Sequence, residues 1–223
     1  MKKTRKDSAI TRHLLLTAGY RVFCEKGFRD ATIAEICAMA GTNVASVNYH
    51  FGNKETLYKE AWLNMFHESV KKYPIDGGVS KNARSEDRLR GYIRSLIQRI
   101  ITEPSDLSIL QKEMANPTGL LSELMTEKIR LQFEEGKSIV KALLGRNALE
   151  KHVLFSHASI LGQCFHLGAS RRNNPKEIKP PGAIDDVDAY CDHVVKFSLA
   201  GIRALTKEIA VSGNNEENKQ GDI

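Results

Sequence analysis

The stretch from Thr32 to Tyr58, TIAEICAMAGTNVASVNYHFGNKETLY, constrains the fold of this 223-residue chain more than any other. It reads as a short helical segment ending at Gly41, a second running from Asn43 to Phe51, and a third starting at Asn53. Two brief helices across a glycine-containing turn are the frame of a helix-turn-helix, a unit that delivers its second helix to the DNA major groove.

The local signals around this frame agree with one another. Leu15, Ala18, Gly19, Val22 and Phe23 form an apolar stripe at steps of three and four, the period of a helix. Gly27 suits the left-handed residue that follows a helix C-terminus. Thr32 caps the next helix, and Glu35 three residues on completes a capping box. Ile33, Ile36, Cys37 and Ala40 then face inward, and Gly41 allows the turn. Asn43 is an N-cap for the following helix, with Val44, Val47 and Phe51 as its anchors. Ser46, Asn48, Tyr49 and His50 are left outside, short polar or aromatic groups suited to base edges, thymine methyls and phosphates. An aromatic at helical spacing is core by default, and Phe51 is read so. Tyr49 and His50 either contact DNA or close the underside of the domain. Asn53 caps a fourth helix. Lys54 falls in that helix's first turn, where a cation meets the positive end of the helix dipole. A nearby phosphate would resolve the conflict.

On Phe23–Phe28, Ala31–Ile36, Ala40-Gly41, Tyr49–Glu55 and Leu57-Tyr58, the sequence resembles the TetR family of bacterial transcriptional regulators. Asn43–Gly52 is further similar to the CecR-type branch. The resemblance implies an all-α subunit, a homodimer, and a C-terminal domain that senses a small molecule. It implies phosphate contacts by Thr32 and Lys54, and base reading by the helix from Asn43 to His50, including Val44, Ser46, Asn48 and Tyr49. Many members carry lysine or a similar polar residue where this chain has Val44, so direct readout here is expected to be more apolar.

Charge supports a polyanion-binding head. The net charge is +6, and residues 1–72 hold 12 Lys/Arg against 7 Asp/Glu, whereas the remainder is nearly balanced. Lys2, Lys3, Arg5 and Lys6 form a basic arm, read either as a phosphate or minor-groove contact or as a solubilising tail. No apolar run is long enough to span a membrane and no signal-peptide core follows the basic start, so a cytoplasmic location is expected. Cys24, Cys37, Cys164 and Cys191 are scattered, with no Cys-x-x-Cys pair, and Cys24 and Cys37, within apolar helical stretches, are expected to be reduced core residues.

The rest of the chain reads as all-α, about nine helices in total. Residues 1–53 are expected to form the three-helix head, 54–80 a connecting helix and loop, 81–212 a ligand-sensing and dimerisation domain, and 213–223 a disordered tail. Helices are expected from Lys54 to about Tyr73, from about Ser85 to near Pro104, and over Asp106–Ala115. Further helices are expected over Leu120–Leu144, from a cap pair Asn147 and Glu150 to about Ser170, and from Asp185-Asp186 onward. Arg171–Ile184, rich in proline, reads as a loop.

The last two long helices carry more apolar surface than one small domain needs, and Gly162, Gly168 and Gly201 permit close approach. A four-helix dimer interface is inferred, with His157, Leu161, Tyr190, Val194, Phe197, Gly201 and Leu205 as its residues. Leu110, Met114, Phe133, Gln163, Phe165 and His166 are candidate walls of an inducer pocket. His157, Cys164 and His166 do not make a zinc-like cluster, so no metal or cofactor is expected. The sequence has no phosphate-cradling glycine loop, nucleophile elbow or His-Glu-x-x-His motif, and an enzyme is not expected. The function expected is a repressor on a palindromic double-stranded operator, released by a small-molecule inducer. The alternative is a sequence-tolerant architectural DNA binder without an inducer.

Overall fold

A computed structural model describes residues 5–102, 104–172 and 184–220. Lys2 and Lys3 of the basic arm and most of the loop read over 171–184 lie outside these residues. The described residues hold nine helices and no strand: α1 (Arg5–Asp30), α2 (Ile33–Ala40), α3 (Val44–Phe51), α4 (Lys54–Lys72), α5 (Ser85–Thr102), α6 (Pro104–Ala115), α7 (Ser122–Leu144), α8 (Glu150–Arg172) and α9 (Val187–Gln220). None is long and apolar enough to cross a membrane.

Packing divides the chain into two compact units, Met1–Lys72 with Glu103–Glu127, and Tyr73–Thr102 with Lys128–Ile223. In the first, α1 lies against α2, α4 and α6, and α3 rests on α2, α4 and α1. Leu15, Phe23, Ile36, Val47, Phe51, Leu57 and Tyr58 share one buried core with Ile109, Leu121 and Met125. Residues 103–127 therefore fill out the same core as the helix-turn-helix. Gly27, inside α1, has φ 81° and ψ 173°. That conformation is open essentially to glycine alone, and it breaks the helix where a C-terminus was expected.

In the second unit α5 packs on α8 and α9, which pack on each other. The loop after α4 crosses α5 backbone to backbone. A Cβ on Gly77 would stand 2.1 Å from the carbonyl carbon of Gly91, and Gly77 has φ 69°. Ser95 Oγ donates to Pro74 O across the same junction, at 2.5 Å. A half-buried ion pair, Arg88–Glu135 at 2.8 Å, joins α5 to α7.

One sequence expectation changes here. The cap pair Asn147–Glu150 does not form. Leu149 N donates instead to His152 Nδ1 at 3.2 Å, and the Glu150 carboxylate pairs with Lys137 Nζ at 2.9 Å. A carboxylate in a first turn already suits the helix dipole, so it is free to take an external cation. Among the described residues α9 runs to Gln220.

Candidate nucleic-acid interface

The helix-turn-helix is held by its caps. Thr32 Oγ1 accepts from Glu35 N, and Glu35 Oε2 accepts from Thr32 N, both at 3.2 Å, which is the expected capping box. Gly41 takes a left-handed conformation, φ 63° and ψ 35°, and its N–H returns to the end of α2. Asn43 Oδ1 accepts from Ser46 N at 3.0 Å and from Ser46 Oγ at 3.2 Å. Asn53 Oδ1 accepts from Thr56 N at 2.7 Å and starts α4. Each cap satisfies donors that a helix start otherwise leaves open.

These caps aim α3. Val47 and Phe51 are buried beneath it, and the Arg12 guanidinium lies 5.3 Å from the Phe51 ring centroid while also pairing with Glu60. Outward stand Val44, Ala45, Asn48 and Tyr49, with Ser46 and His50 half-buried at the margin. Tyr49 is 78% exposed, and its ring is packed only edge-on against His50 at 4.9 Å. Tyr49 is therefore a surface residue of α3 and not part of the core. Val44, expected as an anchor, is half exposed, which leaves its methyls on the outer side of α3.

Lys54, in the first turn of α4 as expected, has partners within the protein. Its Nζ donates to Ala31 O at 2.6 Å and Arg29 O at 3.3 Å, and it lies 4.6 Å from the Phe28 ring centroid. The carbonyls of the α1–α2 turn and an aromatic face offset the unfavourable dipole without an anion. Nearby, Lys26 and Glu35 pair at 2.5 Å. Their mutual hydrogen bond raises the lysine pKa and lowers the carboxylate pKa.

The second unit carries a buried polar node. Tyr92 Oη and His157 Nε2 are 3.0 Å apart, and the Phe133 ring meets the imidazole edge-on at 4.6 Å. His157 has no exposed surface. Burial, with a smaller effect of the Lys137 charge, brings its pKa down to about 4. Burial likewise raises the Tyr92 hydroxyl, and it lifts the Cys164 thiol to about 12. None of the four cysteines is in a disulfide, and three of them are buried.

Of the residues expected at a dimer interface, His157 and Val194 have no exposed surface and lie in their own subunit's core. Both sit on the inward side of an amphipathic helix, and a period of three and four cannot tell a subunit's own core from its partner's. Leu161 and Leu205 are half-buried, and Tyr190 Oη donates to Gln163 O at 2.8 Å. Phe197 is 62% exposed, and Gly201 is exposed with open space around it. The candidate pocket residues divide between the two units. Leu110 packs on the core of the first unit, and Met114 is 74% exposed. In the second unit Phe133 turns towards His157, Gln163 Nε2 donates to Ser159 O, and Phe165 and His166 are exposed. Tyr92 and Gly136 were not singled out in the sequence. The available signal was a glycine inside an otherwise strong helical pattern.

A capped helix-turn-helix with an exposed polar and aromatic reading face, followed by an all-helical domain, defines a DNA-binding transcriptional regulator. Residues 15–61 match the family model described as bacterial regulatory proteins, tetR family. Residues 85–202, more than half of the chain, match that of the HTH-type transcriptional dual regulator CecR, C-terminal domain. The chain belongs to the TetR family, with a C-terminal domain of the CecR kind. It is 26% identical over 175 residues to the HTH-type transcriptional dual regulator CecR of Shigella flexneri, covering 69% of this chain and 74% of that one. It is 27% identical over 105 residues to the HTH-type transcriptional regulator TtgR of Pseudomonas putida, so the chain spans about half the length of that curated relative (46% of this chain, 47% of that one). A tetR-family regulatory protein from Rhodococcus RHA1 has the same fold, with a TM-score of 0.66 at 16% identity over 86% of this chain and 96% of that one.

Proposed function

We propose that this regulator is a homodimeric, cytoplasmic repressor, not an enzyme, that occupies a palindromic operator and is released by a small molecule bound in its second unit. In this reading Asn48, Tyr49, Ser46 and Val44 read bases, and His50, Thr32, Asn43 and Lys54 lie at or near the phosphate backbone. Asn43 and Thr32 spend their side-chain acceptors on caps, so they position the backbone N–H groups that face the phosphates.

One observation carries the dimer. On α8, Leu154, Phe155, Ala158, Gly162 and Phe165 form an exposed stripe, and on α9 so do Phe197, Ala200, Gly201, Ala204 and Val211. Gly162 and Gly201 meet nothing within 4 Å, so two such stripes can approach closely. A two-fold dimer presents two reading helices to half-sites about 34–36 Å apart or a multiple, so a small change in head spacing abolishes fit. The test is selection of a duplex from a random-sequence pool, followed by footprinting and a screen of small molecules for release. A symmetric footprint lost on ligand addition supports the proposal. Uniform coating of any duplex, insensitive to every ligand, favours an architectural protein instead.

A further inference from the structure

Glu113 lies in the last turn of α6, where the negative end of the helix dipole disfavours a carboxylate. The helix itself gives no reason for it. Its surroundings do. Tyr58 Oη of α4 donates to Glu113 Oε1 at 2.7 Å. Thr118 N donates to Oε2 at 3.1 Å, and Thr118 Oγ1 donates to both oxygens, at 2.9 and 3.0 Å. Thr118 Oγ1 in turn accepts from Leu120 N at 3.1 Å, which leads the chain into α7. One carboxylate therefore ties α4, α6 and the α6–α7 turn.

The tie is continuous with the reading head. The Tyr58 ring, almost fully buried, lies 4.7 Å from Phe23 and 5.1 Å from Phe28. The Phe28 ring lies beneath Lys54 Nζ, which holds Ala31 O at 2.6 Å, one residue before the Thr32 cap. Ser108 Oγ donates to Cys24 O at 3.1 Å, and an Arg29 guanidinium nitrogen donates to Pro117 O at 3.4 Å. Segment 103–127 is thus bonded to α1 at two further points. Because α3 rests on α1 and α4, its tilt follows from how this segment seats them.

We propose that Glu113 is a positioning residue for DNA recognition, whose carboxylate, shared between Tyr58 and Thr118, seats segment 103–127 on α1 and α4 and so sets the tilt of α3. The chain enters this segment from the second unit at residue 103 and returns to that unit after residue 127. The proposal rests on the DNA-binding role alone, not on the ligand or the dimer.

The test uses full-length Glu113→Ala, Glu113→Gln, Tyr58→Phe and the double variant Tyr58→Phe/Glu113→Ala. Binding is measured well below each melting temperature, to the duplex that the wild type selects from a random pool and to a scrambled duplex. Glu113→Ala and Tyr58→Phe are expected to weaken the selected duplex about tenfold each, or about 1.4 kcal/mol. The double variant should lose no more than Glu113→Ala alone, the sign of one shared contact. Glu113→Gln keeps an acceptor for Tyr58 Oη and should retain most of the affinity. Binding to the scrambled duplex should not change. Tyr58→Phe removes a single oxygen and keeps the test decisive if Glu113→Ala fails to fold. Wild-type affinity in all variants, with only melting temperatures lowered, would overturn the proposal. So would equal losses on both duplexes.

Discussion

His157 and Tyr92 share a fully buried 3.0 Å hydrogen bond, and the imidazole is held neutral, its pKa down to about 4 from an ordinary value of 6.5. Below pH 6.5 the unfolded chain takes up a proton that the folded chain refuses, so stability falls as pH drops and levels off near pH 4. The loss is at most roughly 3 kcal/mol. His157→Gln keeps a partner for Tyr92 Oη but cannot titrate. Urea melts from pH 7 to 4 should show a shallower acid decline for that variant than for the wild type. Parallel declines would place the titrating group elsewhere.

Gly136 is what lets the pair close. A Cβ there would stand 2.2 Å from His157 Nε2 and 2.6 Å from Tyr92 Oη. Gly136→Ala gains helix propensity of about 1 kcal/mol. Displacing two buried rings costs about 1–3 kcal/mol. The net should be a lower melting temperature by calorimetry, and an unchanged or raised one would mean that the rings yield freely.

On the reading helix, Tyr49→Ala and Asn48→Ala should each weaken specific DNA binding by roughly 1–3 kcal/mol. Both side chains stand in solvent, so circular dichroism and melting should match the wild type. Full operator affinity in both variants would move base reading off α3.

Lys54 combines an internal role with an expected external one. Removing the ammonium leaves the carbonyls of Ala31 and Arg29 without their donor, so Lys54→Ala should lower the melting temperature. If the third N–H also meets a phosphate, the slope of log K against log salt should fall by about 0.9 per contact, nearly twice that for a dimer. A wild-type slope in a less stable protein would confine Lys54 to its internal role.

Phe197 is 62% exposed and stacks on His193 of its own helix. In a dimer built on α8 and α9, Phe197→Asp would bury a carboxylate at a cost on the order of several kcal/mol. Sedimentation should report a monomer that keeps its helicity, with operator affinity falling towards the non-specific level. A variant that stays dimeric would put the interface on another face.

What the sequence made legible was local. Thr32 with Glu35, Asn43, Asn53 and Gly41 each act within a few residues, and each forms as its spacing predicts. What it hid was set by partners far along the chain. Val194 and Phe197 share one apolar pattern, yet one is core and the other surface, because position on the helix relative to α5 and α8 decides it. Glu113 owes its place to Tyr58, fifty-five positions earlier. Its misfit with the helix dipole was nevertheless visible, in the same way as that of Lys54.

The assignment of residues 103–127 to the first unit bears on how such regulators can be recombined. A chimera that joins this reading head to a foreign sensor at one junction after α4 would strip Ile109, Leu121 and Met125 from the head and expose the core they cover. Three splice points, after residues 72, 102 and 127, keep that core whole. The sensor is then inserted as two pieces around a segment that stays with its own head.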